Sequence, residues 1–229
     1  RDRSVSRGLG DVYKRQLPEH FMPAFERGMS LHEAEIDAIT SNKDEATFEN
    51  TILAYDNAGQ MLAQTELVFG MLCAAETNDR MQALQEQAMP LLAAHRDKIR
   101  LDDKLFVRVK EVYDRRAALG LDAEQMRLLQ KTYDSFVRAG ALLDAEQKAR
   151  LKEINGQLSL TAVKFGNNIL AENNNFVLEL KSDELDGLPA GIRDAAREKA
   201  QQMGKGDKWV FTLHKPSLIP FLTYSAKRD

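Results

Sequence analysis

The sequence has few residues that cross-link or interrupt a folded chain. Its 229 residues include one cysteine, Cys73, with 13 glycines and 6 prolines. A single cysteine forms no intramolecular disulfide, so a disulfide-stapled miniprotein is excluded. A collagen-like or low-complexity chain is excluded too, because both need far larger shares of glycine and proline. This cysteine usage permits a reducing compartment, and we expect a cytoplasmic protein, with the periplasm as the alternative.

The chain also lacks a dominant charge and a long hydrophobic run. Its 32 Lys and Arg against 35 Asp and Glu give a net charge of −3. That balance creates no positive field for a phosphate backbone, so we expect no nucleic-acid partner. No apolar run reaches the roughly 18 to 20 residues that span a bilayer, so we expect a soluble chain with no membrane partner.

Composition and length indicate an ordinary globular protein. Hydrophobic residues make up 43% of the chain and charged residues 29%, which are typical globular shares. At about 150 residues per domain, the length predicts one large domain or two unequal ones.

The first 16 residues differ in character from the rest. They carry five basic and two acidic side chains, with scattered apolar residues only at Val5, Leu9 and Val12. A secretory signal would need an apolar stretch of about 7 to 15 residues after its basic start. The segment instead resembles read-through from sequencing-library DNA. We therefore expect residues 1–16 to be a non-native leader.

Residues 17–172 are predicted to form a mainly α-helical domain. From Pro23 to about Ala171, apolar residues recur at spacings of three and four, which is the period of an amphipathic helix. Pro90 should kink or split its helix, because proline removes a backbone N–H and clashes with the preceding turn. The predicted helices cover residues 23–41, 47–76, 78–100, 103–119, 122–141 and 144–172.

The last of these helices has the clearest pattern. Asp144, with Gln147 three residues later, predicts a reciprocal N-terminal cap, and the same LDAEQ pentapeptide begins the preceding helix at residue 121. One side of this helix is polar and carries Lys152, Glu153, Gln157 and Lys164. The opposite stripe is apolar, as in an amphipathic helix: Leu151, Ile154, Leu158, Thr161 or Ala162, Phe165 and Ile169.

The pattern changes after three asparagines at 173–175, which are predicted to end the long helix. Residues 176–180 (FVLEL) and 209–213 (WVFTL) indicate two strands. A helix that Pro189 opens and Gly204 ends is predicted between them. Two strands are marginal alone, so we expect them to pack on helices or on downstream sequence. We interpret residues 173–229 as the truncated start of a further part, with a helical end.

No reactive side chain lies in a pattern that marks a catalytic centre. His32-Glu33 copies the first half of the zinc motif H-E-x-x-H, but Ile36 stands where the second histidine belongs. We interpret this segment as an ordinary surface turn of a helix. Cys73 lies in an apolar helical run, where cysteine usually packs as a small hydrophobic residue. Residues 203–208 (MGKGDK) lack the first glycine and the Ser or Thr of a phosphate-binding loop, which indicates a solvated turn.

From the residues alone, the prediction is therefore no catalytic residue and no metal ligand in this chain, with the substrate-binding residues unknown. An unrelated enzyme that uses Cys73 or His32 is the remaining alternative.

Several blocks of the sequence resemble the zinc metallopeptidases of the thimet oligopeptidase class, most closely the bacterial peptidyl-dipeptidases. Each block is weak alone, but they follow in order over almost all of residues 17–229. The blocks are residues 17–25 (LPEHFMPAF), 47–52 (TFENTI), 136–140 (FVRAG), Leu143, Arg150, Ile154, Leu158, 165–168 (FGNN), 187–189 (GLP), 209–213 (WVFTL) and 216–225 (PSLIPFLTYS).

The resemblance implies that this chain is the N-terminal helical part of a peptidase that releases dipeptides from the C-terminus of short peptides. That part is channel wall and scaffold, and we expect it to be inactive alone. In the family, two His and a Glu hold zinc, and the Glu of H-E-x-x-H activates the metal-bound water. This sequence lacks that motif, so the resemblance implies zinc in the full-length parent and none bound by this chain.

The expected partners are therefore short peptides and a missing C-terminal catalytic half. Within the family, an endopeptidase like oligopeptidase A is the alternative to dipeptide release. Outside it, the alternative is a free-standing helical module that binds peptides or proteins without chemistry.

Overall fold

A computed structural model describes residues 17–227. Within that range the chain is mainly helical, with a single two-stranded antiparallel sheet, which confirms the predicted fold class. The chain divides into two compact units after Val163. None of the helices described is long and apolar enough to cross a membrane. The predicted leader lies outside the described residues, and the predicted domain boundary after residue 172 stays a prediction.

The first unit is a set of packed helices joined by short turns. A 3₁₀ turn, Pro18–His20, precedes the first helix, a π-helical turn, Phe48–Leu53, precedes the second, and another 3₁₀ turn, Arg116–Ala118, follows the fifth. The long seventh helix begins in this unit and continues into the second. The helices are α1 (Phe21–Ser41), α2 (Ala54–Asp56), α3 (Gln60–Ala75), α4 (Asp79–Arg100), α5 (Asp103–Asp114), α6 (Ala123–Arg138) and α7 (Ala145–Asn175).

The second unit alternates strands and helices in the predicted order. After the end of α7 come β1 (Leu178–Leu180), a 3₁₀ turn (Ser182–Glu184), α8 (Ala190–Gln202), β2 (Trp209–Phe211) and α9 (Lys215–Tyr224).

The sheet of the second unit packs on its own helices. The strands pair antiparallel, with Leu178 opposite Phe211 and Leu180 opposite Trp209. Phe211 lies in a buried cluster with Ala196 of α8, and the Phe221 ring of α9 is 4.7 Å from the Phe211 ring. The expected packing of the strand pair on helices is therefore confirmed.

The helix-start chemistry that the sequence predicts is present at both LDAEQ segments. The Gln125 backbone N–H donates to Asp122 Oδ1 at 2.8 Å, and Gln125 Oε1 accepts from the Asp122 N–H at 3.1 Å. At the start of α7, Asp144 and Gln147 make the same pair of bonds at 2.8 and 3.2 Å. These caps satisfy backbone donors that have no partner within the helix.

Pro90 does not split its helix, so that alternative in the prediction is wrong. Helix α4 runs unbroken from Asp79 to Arg100. Ala88 and Leu92, on either side of the proline, are each 1% exposed. Tertiary packing therefore holds both flanks of Pro90 and overrides its local helix-breaking preference.

The predicted helix at 47–76 is broken in the structure. Its π-helical first turn leads into α2, and α3 begins only after Gly59, whose φ is 73°. The Asn57 side chain donates to the Leu53 carbonyl at 2.8 Å, which stabilises the turn. A Cβ at Gly59 would lie 2.8 Å from the His32 ring, so tight packing here favours glycine. The helix predicted at 103–119 likewise ends at Asp114, before a 3₁₀ turn.

Two separate hydrophobic clusters form the core of the first unit. One surrounds Phe136, which has no exposed surface and packs against the rings of Tyr55 and Phe106. The other joins α1 and α3 through Phe25 and Phe69, whose rings meet edge to face at 5.3 Å.

Candidate functional site

The long helix α7 carries its apolar stripe on the outside. Of its residues, all of which the structure describes, only Val163 is fully buried. The predicted stripe is largely exposed: Ile154 is 43%, Leu158 63%, Phe165 65% and Ile169 46% accessible. The amphipathic pattern is therefore present, but within residues 17–227 it does not mark a face that packs on the core.

A different side of α7 holds the helix to the first unit. The Asn155 side chain donates to Asp97 Oδ1 of α4 at 2.9 Å. Lys148 forms an ion pair with Asp103 at the start of α5. Leu151 lies so close to Gly140 that a Cβ there would be 2.8 Å from Leu151 Cδ2. Leu151, the first residue of the predicted stripe, therefore lies on the packed side, whereas the later residues of the stripe are exposed. We call Ile154, Leu158, Phe165 and Ile169 the α7 stripe.

The second unit also has an exposed apolar surface. On α9, Ile219 is 55%, Leu222 64% and Tyr224 51% accessible. Large contiguous apolar surfaces are uncommon on monomeric proteins and usually mark an interaction site.

A histidine pair links α1 and α4. His32 Nδ1 lies 3.1 Å from His95 Nε2, a hydrogen-bonding distance, and His95 is only 5% exposed. His32 therefore lies on a half-buried turn of α1 and makes a contact with α4 that the sequence analysis did not predict. Sequence reasoning missed the partner because 63 residues separate the two histidines.

Carboxylates surround this pair. Glu33 Oε1 is 3.5 Å from His95 Nδ1, and Glu33 Oε2 is 2.9 Å from Lys98 Nζ. On the other side, Glu35 Oε2 accepts the Gly59 backbone N–H at 2.7 Å. The hydrogen bond from Lys98 lowers the pKa of Glu33. The cluster is thus a polar contact that ties α1 to α4 and to the turn before α3.

Burial lowers the pKa of both imidazoles from the usual 6.5, since a charged ring is costly away from water. His95 lowers the pKa of His32 further, and Lys98 acts in the same direction on His95. Glu33, Glu35 and Glu66 oppose these shifts but do not reverse them.

We expect the histidine pair to make the first unit less stable in mild acid. The folded pKa values lie below the unfolded value, so the unfolded chain binds more protons as pH falls through 6.5. Stability is then full above that pH and declines below it. Denaturant unfolding at about pH 7.5 and about pH 5.5 measures the decline. His95→Gln should flatten it, whereas the control His214→Gln, on an exposed side chain of the second unit, should not. An equal decline in His95→Gln would contradict this expectation.

Cys73 packs as the sequence predicts. It is partly buried at the edge of the Phe25 cluster. Burial raises the pKa of its thiol, which favours the unreactive protonated form over the thiolate.

Metal-donor side chains do not converge within the described part of the chain. Among residues 17–227, no three His, Cys, Asp or Glu side chains group closely enough to hold a metal ion. His32 and His95 direct ring nitrogens at each other, so these two atoms do not aim at a common point. The donor set in this part of the chain therefore does not fit a zinc site.

Comparison with known proteins identifies the relatives of this chain. No family model matches it. It is 37% identical over 204 residues to a dipeptidyl carboxypeptidase of Escherichia coli (strain K12), a match that covers 89% of this chain. Over most of its own length, this chain is thus similar in sequence to a dipeptidyl carboxypeptidase. The Salmonella typhimurium protein of the same name is 35% identical over the same length, and a thimet-like oligopeptidase of Dictyostelium discoideum is 24% identical over 93% of the chain.

These matches confirm the resemblance that the sequence blocks predict. In each case the match covers 30% of the relative. The chain therefore spans about a third of the length of the curated relatives it matches.

Proposed function

We propose that this chain is the helical, non-catalytic part of a peptidase that releases dipeptides from the C-terminus of short peptides. The observation that carries the proposal is its 37% identity, over 89% of its length, to a dipeptidyl carboxypeptidase of which the match covers only 30%. In this proposal the chain serves as scaffold and channel wall and is inactive alone. The exposed α7 stripe supports such a role, because a scaffold needs a surface on which the rest of the enzyme packs.

The proposal places the zinc implied by the family resemblance outside this chain. The arrangement of donors in residues 17–227 supports that placement, since no three of them converge. A C-terminal catalytic half would then be the essential partner. The single cysteine suits a reducing cytoplasm, with the periplasm as the alternative compartment.

An endopeptidase is the second candidate within the same family. Its support is the similarity to the thimet-like oligopeptidase of Dictyostelium discoideum, which extends over 93% of this chain. The two candidates differ in their products, because an endopeptidase cuts within a peptide whereas a peptidyl-dipeptidase removes two residues from its end.

A chimera tests the proposed function. Residues 17–227 replace the aligned segment of the Escherichia coli dipeptidyl carboxypeptidase, and products from a short peptide with a free C-terminus are identified by mass spectrometry. We expect dipeptide release within about tenfold of the parent rate, equivalent to about 1.4 kcal/mol in the barrier. The matched control is the same enzyme with that segment deleted, which should be inactive.

The 229-residue chain alone supplies the complementary measurement. We expect no peptide hydrolysis from it, with or without a chelator. Chelator-sensitive hydrolysis by the chain alone would contradict the proposed scaffold role. A folded chimera without activity would contradict the peptidase assignment.

A further inference from the structure

We propose that the second unit has a binding site for a small carboxylate with an apolar body, in a cleft between α8, β2 and the start of α9. The cleft has a volume of about 260 Å³. Its lining residues lie between Ile192 and Ser217, so the site belongs to one compact unit. The inference does not depend on the proposed function, and either can fail without the other.

The floor of the cleft is apolar. Ala196 of α8 is 4% exposed, and Val210 and Phe211 of β2 are 1% and 3% exposed. Ile192 lines the cleft with them. Such a floor favours a ligand that removes apolar surface from water. The cleft is smaller than the pockets of about 300–1,000 Å³ that take drug-sized ligands, so the apolar body should be about the size of one amino-acid side chain.

The polar side chains around the cleft offer hydrogen-bond donors. Lys199 and His214 line it, and neither side chain makes an ion pair or a hydrogen bond with another residue of the described range, 17–227. The lysine ammonium has three donors and no acceptor. Ser217 Oγ accepts the Thr212 backbone N–H at 3.0 Å, and its own O–H has no acceptor within the same range.

Thr212 is a buried residue whose hydroxyl lacks a partner. The residue is 9% exposed and lines the cleft. Its backbone N–H is bonded to Ser217, but its hydroxyl makes no hydrogen bond in the part of the chain that the structure describes. Buried polar groups in folded proteins nearly always have a hydrogen-bonding partner. A polar ligand atom in the cleft would supply the missing one.

The charge of the lining favours a ligand with a single negative charge. None of the described residues that line the cleft is acidic, and Lys199 is the only lysine or arginine among them. A carboxylate carries one negative charge and accepts several hydrogen bonds, whereas a phosphate carries about −1.5 to −2. One lysine therefore matches a carboxylate better. Two sources have this chemistry: the C-terminal residue of a peptide and a free aliphatic acid.

An NMR titration of the isotope-labelled 229-residue chain tests the site. The ligands are N-acetyl-L-phenylalanine, which represents a peptide C-terminus, hexanoate, which represents an aliphatic acid, and the neutral N-acetyl-L-phenylalaninamide. We expect an acid to shift the amide signals of Ala196, Val210 and Thr212 in a saturable way, with a dissociation constant on the order of 1 mM. The neutral amide should bind about fivefold more weakly than the corresponding acid, because it lacks the charge that pairs with Lys199.

The two acids distinguish the sources of the ligand. Tighter binding of N-acetyl-L-phenylalanine than of hexanoate would assign the cleft to peptide C-termini, and the reverse order would assign it to free aliphatic acids. Either order supports a carboxylate site.

Two variants locate the ligand within the cleft. Lys199→Gln should weaken acid binding about fivefold, whereas Lys181→Gln, at an exposed lysine of the same unit that does not line the cleft, should leave it unchanged. Ala195 is an exposed residue that lines the cleft. Ala195→Leu should therefore obstruct the cleft and abolish the shifts without disturbing the core. The spectrum of each variant also shows whether it is folded.

Three results would overturn the inference. Neither acid gives a saturable shift, the acid and the neutral amide bind equally well, or the folded Lys199→Gln and Ala195→Leu variants bind the acid as tightly as the unsubstituted chain. Dipeptide release by the chimera is measured separately, so any of these results leaves the proposed function standing.

Discussion

Phe136→Ala is expected to destabilise the first unit by about 3–5 kcal/mol. The Phe136 side chain has no exposed surface, and its ring centroid lies 5.2 Å from that of Tyr55 and 6.1 Å from that of Phe106. Its removal loses the transfer free energy of a buried aromatic ring and leaves a cavity that the surrounding helices fill only partly. The same substitution also removes the favourable contacts between aromatic rings.

Urea unfolding followed by far-UV circular dichroism measures this loss, with Phe165→Ala as the control. Phe165 is 65% exposed on the α7 stripe, so its replacement in the chain alone should change stability by less than about 0.5 kcal/mol. Similar losses for the two variants would contradict the burial pattern described here, because they would place Phe165 in a core as well packed as that of Phe136.

Gly187→Ala should destabilise the second unit by about 2–5 kcal/mol. Gly187 has a φ of 83°, and an added Cβ would lie 2.3 Å from the Tyr224 carbonyl oxygen and 2.8 Å from the Ala226 nitrogen. The left-handed conformation costs a residue with a Cβ about 1–2 kcal/mol, and overpacking adds about 1–3 kcal/mol. The clash is with backbone, at the point where the Ala226 N–H donates to the Asp186 carbonyl. The end of α9 must therefore move away.

Gly204→Ala is the matched control for the clash. Gly204 has a φ of 71°, but no atom lies within 4 Å of an added Cβ, so only the conformational cost of about 1–2 kcal/mol applies. Trp209, the only tryptophan in the sequence, lies in β2, so its fluorescence during urea unfolding reports on the second unit. A loss in Gly187→Ala no larger than that in Gly204→Ala would contradict the close approach of the α9 end.

Local chemistry explains which parts of the fold could be predicted. The caps at Asp122 and Asp144 depend on residues three positions apart, and Pro189 and Gly204 act on their own turns. Such signals lie within one helical turn of sequence, so they predict where helices begin and end. The close approach of the His32 ring to Gly59, 27 positions later, could not be inferred from spacing.

Two buried polar residues, His95 and Arg108, stand at positions of their helices where the sequence pattern is otherwise apolar. His95 lies between Leu92 and Ile99 on the apolar face of α4. Arg108 lies in the same way between Leu105 and Val109 on α5, and donates from Nη1 to the backbone carbonyls of Asn42 and Asp44 at 3.0 and 3.1 Å. A polar side chain on a buried face needs a hydrogen-bonding partner. The sequence position of such a residue therefore predicts that a partner exists, but only the folded structure shows which residue the partner is.

The α7 stripe shows that hydrophobic periodicity predicts which residues share a helix face but not what packs against that face. Periodicity predicts that Leu158 and Phe165 share a face. What meets that face depends on residues far away in the chain or, in our proposal, outside it. The same apolar spacing therefore occurs on a helix face that is buried in a core and on one that is exposed for an interface.

The most direct test of the proposal that this chain is part of a larger zinc peptidase is to read the gene past the codon for Asp229. We predict that the reading frame continues and encodes H-E-x-x-H followed by a later Glu. A stop codon directly after Asp229 would contradict the proposal, and a free-standing helical binding module would then be the better explanation of the chain.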